Sequence, residues 1–313
     1  MPLRQLLSLL NYAEGFNSRE EAYQFLVTLS ELLLGNEGLS LQRHKTRIMS
    51  REEFLLASPF SEEDQPEDPE SLETRRFVRV RLKYDPYSPT AVEDYEALQD
   101  ELRKFDIVGM LAREMRKSRV DEGVTRRLVS AIRYLRQPLR DKAVLSLMEN
   151  FPILYPVLPT VMIVIKSIVN DLEEKTRNEV FEHLRGLIRK GSYMIRVPAN
   201  LSYVLRILSY DETEETDTIL TSLYKQPLDM MIKRDIILIM AKRNADYWIS
   251  NLRKQYEVLT PWEKRSLLVA SYILDDEGSH WRDSIKKELL PFDALVSKWA
   301  GDKKNAGAWD LPI

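Results

Sequence analysis

From Ser88 to Ala300 the apolar residues recur at every third or fourth position, segment after segment, with short breaks between segments. That period is the signature of a helix with one buried face, because 3.6 residues complete a turn. Glycine, the usual residue of wide turns, occurs only 10 times in 313 residues. The spacing predicts a run of short helices over Ala91–Phe105, Val108–Lys117, Gly123–Leu135, Pro138–Glu149, Thr160–Leu172, Lys175–Lys190, Val197–Ser209, Thr213–Lys225, Met231–Arg243, Trp248–Val258, Trp262–Leu274, His280–Leu290 and Phe292–Ala300. A chain built this way has to bury each apolar face on a neighbouring helix.

Weak internal similarity runs through these helices. "PLRDKAVLSLM", "MIKRDIILIMA" and "WEKRSLLVASY" each place a basic residue (Arg140, Arg234, Arg265) ahead of a mostly apolar stretch, and "MIRVPANLSYVL" adds Arg196 as a fourth copy. The gaps are uneven. The pattern points to stacked helix pairs of the HEAT or armadillo kind, an α-solenoid, with an irregular helical bundle as the alternative.

Upstream, "SREEAYQFLVTLSELLLGNEG" predicts another helix. Ser18 stands at its cap with Glu21 three residues on, and Gly35 and Gly38 end it. Leu39 to Met49 reads as one or two short strands. Ser61 to Glu73 carries seven acids, two prolines and little to bury, which predicts a solvated linker. In the stretch that follows, Val78, Val80 and Leu82 alternate with Arg79, Arg81 and Lys83; a strand with one basic face fits that alternation, with a helix as the alternative. The expected organisation is an N-terminal unit over 1–60, an acidic linker over 61–74 and a helical repeat domain over 75–313.

Lysine and arginine total 46 against 49 acids, a net charge of −3. Any attraction for a polyanion therefore has to come from a local patch. Cysteine is absent, which removes disulfides, thiolate metal sites and cysteine nucleophiles and fits a cytoplasmic location. The three histidines, His44, His183 and His280, show no metal-ligand spacing. The most apolar window, Phe151 to Val169, is broken by Pro152, Pro156 and Pro159 and interrupted by Lys166. It reads as a buried helix, and no membrane partner is expected. Four of the five tryptophans, Trp248, Trp262, Trp281 and Trp299, are expected mainly in the core, with Trp309 exposed in the tail.

The helix "SREEAYQFLVTLSELLL", the turn "GNEGLSLQ" and the following "HKTRIM" together resemble the region after the catalytic aspartates in bacterial reverse transcriptases of the group II intron and antiphage-defence types. Gly38, Leu39, Leu41, Lys45 and Thr46 match that family's Gly-Leu-x-Leu turn and Lys-Thr pair. The stretch from Lys83 to Arg119 resembles the start of a helical extension found after the polymerase in some of those proteins. The resemblance implies a mainly α fold: a truncated α+β palm and thumb remnant followed by the helical repeat. It places Lys45 and Thr46 near an incoming nucleotide. The family's Tyr-x-Asp-Asp is replaced here by Tyr12-Ala13-Glu14-Gly15. One carboxylate cannot hold the two metals of nucleotidyl transfer, so Glu14 receives no catalytic role. Mg²⁺ is expected only in full-length relatives, and this chain alone is expected to be inactive as an RNA-directed DNA polymerase.

Two readings follow. One is a reverse-transcriptase-related protein that lacks the catalytic aspartates and whose partners are RNA or DNA and a protein supplying the missing polymerase region. The other is a helical scaffold that binds protein or nucleic acid. The candidate nucleic-acid contacts are Arg47, Arg79, Arg81, Lys83, Arg126 and Arg127, with Arg116, Lys117, Arg119, Arg133, Arg136 and Arg140 as neighbours.

Overall fold

Ser18 Oγ accepts the Glu21 N–H at 3.2 Å and starts α1 (Arg19–Glu37), the helix expected there. Its inner side places Tyr23 and Val27 in the main core. A computed structural model of the protein describes residues 16–37, 39–41, 48–50, 69–83, 85–117, 120–307 and 311. Among the described residues there are fifteen α-helices, short 3₁₀ turns and no strand. The protein is mainly α.

The basic strand expected after the acidic stretch is not formed. Pro69–Arg79 is a helix, α2, and the last residues of the supposed linker, Pro69 to Glu73, are its first turn. The reason lies in the order of charges. Acids precede bases, with Arg76 and Arg79 in the last turn, which complements the helix dipole. Phe77 and Val80, three residues apart, are both buried, whereas a strand would have aligned Val80 with Val78, which is exposed. Glu73 then reaches Arg113 at 2.7 Å and fixes the helix to the array.

The array continues through α3 (Ala91–Leu102), α4 (Ile107–Arg116), α5 (Glu122–Ala131), α6 (Leu139–Glu149), α7 (Leu158–Ile168), α8 (Glu174–Arg189), α9 (Pro198–Leu208), α10 (Glu214–Tyr224), α11 (Met230–Lys242), α12 (Asp246–Arg253), α13 (Pro261–Ala270), α14 (Asp275–Ile285) and α15 (Pro291–Asn305). Each helix expected from Ala91 onward has a counterpart. Aspartates cap α4, α5 and α11, and Thr260 with Glu263 forms a capping box on α13.

The helices pack in two rows. In one, α5, α7, α9, α11, α13 and α15 lie in order, each against the next; in the other, α4, α6, α8 and α10 do the same. Successive helices thus stack on the next but one. The row beginning with α5 is the more apolar. In α11 every residue from Asp235 to Ala241 is buried, and α7 buries Val161, Met162, Val164, Ile165 and Ile168. Each such side chain contributes about 1.5–3 kcal/mol when taken from water. The segment Phe151–Asp171 is long and apolar enough by length and composition to cross a membrane, and half of its most apolar window is buried inside the fold.

Buried carboxylates join neighbouring helices along the rows. Asp141 on α6 accepts the Glu173 N–H at 3.2 Å and the Thr176 hydroxyl at 3.1 Å at the start of α8. Asp235 on α11 accepts from Arg206 of α9 at 3.1 Å. Asp293 on α15 accepts from Arg265 of α13 at 2.8 Å. In the third case the arginine is one that the repeated sequence pattern marks.

Candidate nucleic-acid interface

The basic side chains of the acidic stretch's far end come together on one edge. Arg76 and Arg79 lie three residues apart in α2 and so share a side of it. After α2 the chain runs across the array with Val80 buried, Arg81 exposed, Leu82 half-buried and Lys83 exposed. The alternation of apolar and basic residues in the sequence is thereby satisfied without a strand. Apolar contact holds the segment down while its cations face water.

Arg76, Arg79, Arg81 and Lys83 form no ion pair or side-chain hydrogen bond among the described residues. Most other arginines are engaged. Glu73, the nearest acid in α2 with a described side chain, is turned to Arg113. Asp85, on the other side, accepts the Tyr87 N–H at 2.9 Å within its own turn. Tyr87 itself stands 94% exposed just beyond Lys83. The edge therefore offers uncompensated cations beside an open aromatic ring.

Two interactions hold the edge on the array. Arg127 of α5 donates from Nη2 to the carbonyl of Val80, midway between Arg79 and Arg81. The Tyr134 hydroxyl lies 3.4 Å from the carbonyl of Leu82. Arg127 thus belongs with Arg79, Arg81 and Lys83, as a support beneath them. Arg126 does not: it pairs with Glu122 at 3.0 Å one turn away on α5. Arg136 bonds Gln99 at 2.9 Å, and Arg140 is occupied by the carbonyls of Leu135 and Arg133 and by Asp171. Lys117 pairs with Glu114. Of the arginines from α5 to the start of α6, Arg126, Arg136 and Arg140 are thus engaged by neighbouring groups.

Lys45, Thr46 and Arg47 lie outside the described residues, as do Glu14, Arg119 and Trp309. No group of three His, Asp or Glu side chains converges to hold a metal ion among the described residues.

The perturbed titratable groups serve helix packing. Burial, together with the Glu263 carboxylate that its hydroxyl bonds at 2.8 Å, pushes the Tyr224 phenol well up. Burial works against ionising Glu263, but hydrogen bonds from Thr260 and Tyr224 hold it below the usual carboxylate range. Hydrogen bonds from Arg185 and Arg189 lower Glu182. Burial raises Tyr193, whose hydroxyl has no hydrogen-bond partner among the described residues. A cleft of about 580 Å³ opens between the end of α8, α9 and α10, with Arg189, Ser192, Arg196 and Gln226 on its wall. Arg189 is already held there by Glu182 and Glu215.

Sequence reasoning marked Arg79, Arg81 and Lys83 but missed Arg76, which only a helix aligns with them. It also set Trp262 and Trp299 in the core, whereas both are exposed. Compared with known proteins, the chain matches no family model, no curated protein and no solved structure.

Proposed function

We propose that this chain is a non-catalytic, helical-repeat portion of a reverse-transcriptase-related protein, and that its task is to hold nucleic acid along the edge from Arg76 to Lys83. The single observation that carries the binding role is the set of four exposed cations on one edge with no acid paired to them, in a protein of net charge −3. Polyanion attraction in such a protein must be local, and phosphate contacts need charges that are not already neutralised. Tyr87 adds a ring on which a base can stack. The stacking of each helix on the next but one supports reading the array as a HEAT-like α-solenoid, a fold that presents extended binding surfaces. The polymerase kinship rests on the sequence between Ser18 and Phe54, where α1 begins at the expected cap.

The test is fluorescence anisotropy with labelled single-stranded RNA and DNA of ~20 nucleotides, a length that covers several phosphate contacts. Binding should weaken steeply as salt rises. Combined Arg79→Glu, Arg81→Glu and Lys83→Glu substitution should cost at least about tenfold in affinity for every sequence alike, since phosphate contacts carry no base information. Salt-insensitive binding, or binding untouched by the triple reversal, would remove the proposal. In a primed-RNA extension assay with Mg²⁺ the chain alone should make no DNA.

A further inference from the structure

A different surface lies at the far end of the apolar row. The second and fifth residues of α11 are Met231 and Arg234, those of α13 are Trp262 and Arg265, and those of α15 are Phe292 and Leu295. The same two positions of three successive row helices therefore form one continuous face. Direct contacts join them. The Arg234 guanidinium sits 5.8 Å from the Trp262 ring, and Arg265 lies 5.5 Å from Trp262 and 4.8 Å from Phe292. Arg234 Nη1 also lies 3.9 Å from the Met231 sulfur. Apolar and guanidinium groups alternate across the three helices.

This face is open. Trp262 is 38% exposed, Phe292 56% and Leu295 63%. Large apolar side chains clustered at the surface of a monomer mark a place where something binds. Trp, Met, Phe and Arg are the residues enriched in the centres of protein interfaces.

Its charge specifies the occupant. Arg206 and Arg265 bind Asp235 and Asp293 through Nε, and their terminal nitrogens have no hydrogen-bond partner among the described residues. The acids beneath the face, Asp235, Glu263 and Asp293, are buried and engaged. Asp229, at the rim, is turned to the Met231 N–H at 2.8 Å. The guanidinium groups thus lie outermost: Arg234 and Arg265 each have a carboxylate below and a ring beside them, and Arg206 is held by the Asp235 carboxylate. A fork fixed in this way is ready to accept a carboxylate with little further ordering.

The spacing specifies the shape. Packed helix axes lie about 8–10 Å apart. A helix laid across the row repeats a side chain every seventh residue at about 10.5 Å, just beyond the upper end of that interval.

We propose that the face formed by Met231, Trp262 and Phe292 between Arg206, Arg234 and Arg265 docks an amphipathic helix of a partner protein, apolar along one side and acidic on its flanks. The apolar residues enter between the rings, and the flanking carboxylates take the free nitrogens of Arg206 and Arg265. This surface is separate from the basic edge at α2 and does not depend on the nucleic-acid reading.

The experiment uses the full chain and two labelled probe peptides of ~21 residues, three heptads long, with leucine and phenylalanine along one side and either glutamate or lysine on the flanks. Fluorescence anisotropy should show the glutamate peptide binding at least about tenfold more tightly than the lysine peptide, as expected for a charge-complementary interface. Phe292→Ala and Arg265→Gln should each weaken it by about tenfold, the loss expected of an interface hot spot. Phe292 is exposed, so its variant should keep the wild-type melting temperature, which separates lost docking from lost folding. Equal affinity for the two peptides, or affinity unchanged in both variants, would overturn the proposal. So would an oligothymidylate of ~20 nucleotides that binds through the same two residues, which would make the face a base-stacking platform.

Discussion

Arg185 of α8 places its guanidinium on the carboxylate of Asp211, the residue that turns the chain from α9 toward α10. Both side chains are buried. Asp211 also accepts from the Thr216 hydroxyl at 2.6 Å and from the Thr213 N–H at 3.2 Å, and its carbonyl takes the Arg243 guanidinium. The carboxylate thus satisfies donors from α8 and from the start of α10. Asp211→Ala strands these donors and should cost about 3–5 kcal/mol, the range for breaking a buried pair from one side. Urea unfolding at neutral pH measures it. A loss below about 1 kcal/mol, the scale of exposed pairs, would mean the site is open to water.

Arg127 and Arg126 are neighbours with opposite prospects. Arg127 carries the edge by bonding the Val80 carbonyl, while Arg126 pairs with Glu122 and reaches the Pro156 carbonyl at 3.5 Å, neither of them on the edge. Each alanine variant removes one positive charge. Arg127→Ala should therefore weaken single-stranded RNA binding severalfold more than Arg126→Ala. Equal losses would show that only net charge matters at this end.

Gly278 in α14 is required by close approach. A Cβ there would stand 2.1 Å from the backbone carbonyl oxygen of Ser271. Backbone cannot yield as a flexible side chain can, so Gly278→Ala should destabilise by about 1–3 kcal/mol through overpacking. Gly186, in α8, has nothing within 4 Å of that position. Gly186→Ala serves as the control and should be neutral or slightly stabilising, because alanine favours the helix. Thermal unfolding of the two variants side by side decides the point.

His183 gives the protein a pH response. Burial pushes its imidazole below the ordinary value of 6.5, with Lys190 adding to the effect. Its Nε2 is buried without a hydrogen-bond partner among the described residues, and its ring stands edge-on to Phe151 at 5.0 Å. The unfolded chain takes up a proton near the ordinary pKa and the folded chain resists it. Stability is therefore full above about pH 6.5 and declines as the pH falls toward the lowered folded value. His183→Gln should flatten the difference in melting temperature between about pH 7.5 and about pH 5.5, the window in which histidine alone changes charge. An unchanged difference would assign the acid sensitivity to other groups.

The helices of the array were legible because each carries its own apolar period of three to four residues. The apolar period placed α13 from Trp262, and the capping box of Thr260 and Glu263 with Pro261 between them sets its start one residue earlier. The start of α14 was not legible. "DDEGSH" resembles a loop, yet the helix begins at Asp275, five residues before His280, because three acids suit its first turn and Gly278 permits contact with Ser271. The basic edge was half legible: its alternation of Val and Arg was visible, but its partner Arg127 lies 47 residues away from Val80. The face at α11, α13 and α15 was visible only as the repeated Arg234 and Arg265. That Trp262 lies between them depends on how the row helices align, which no local pattern records.

Finally, α9 belongs to two interiors at once. Val204, Ile207 and Leu208 lie in the core formed with the earlier helices, whereas Leu201 and Leu205 lie in the core formed with the later ones. The protein is held together there as two panels are by a hinge pin. Amide exchange should accordingly divide into two cooperative blocks on either side of α9, released at different denaturant concentrations. Trimming Val204 should loosen the first block and trimming Leu205 the second, although the two residues are adjacent in the chain.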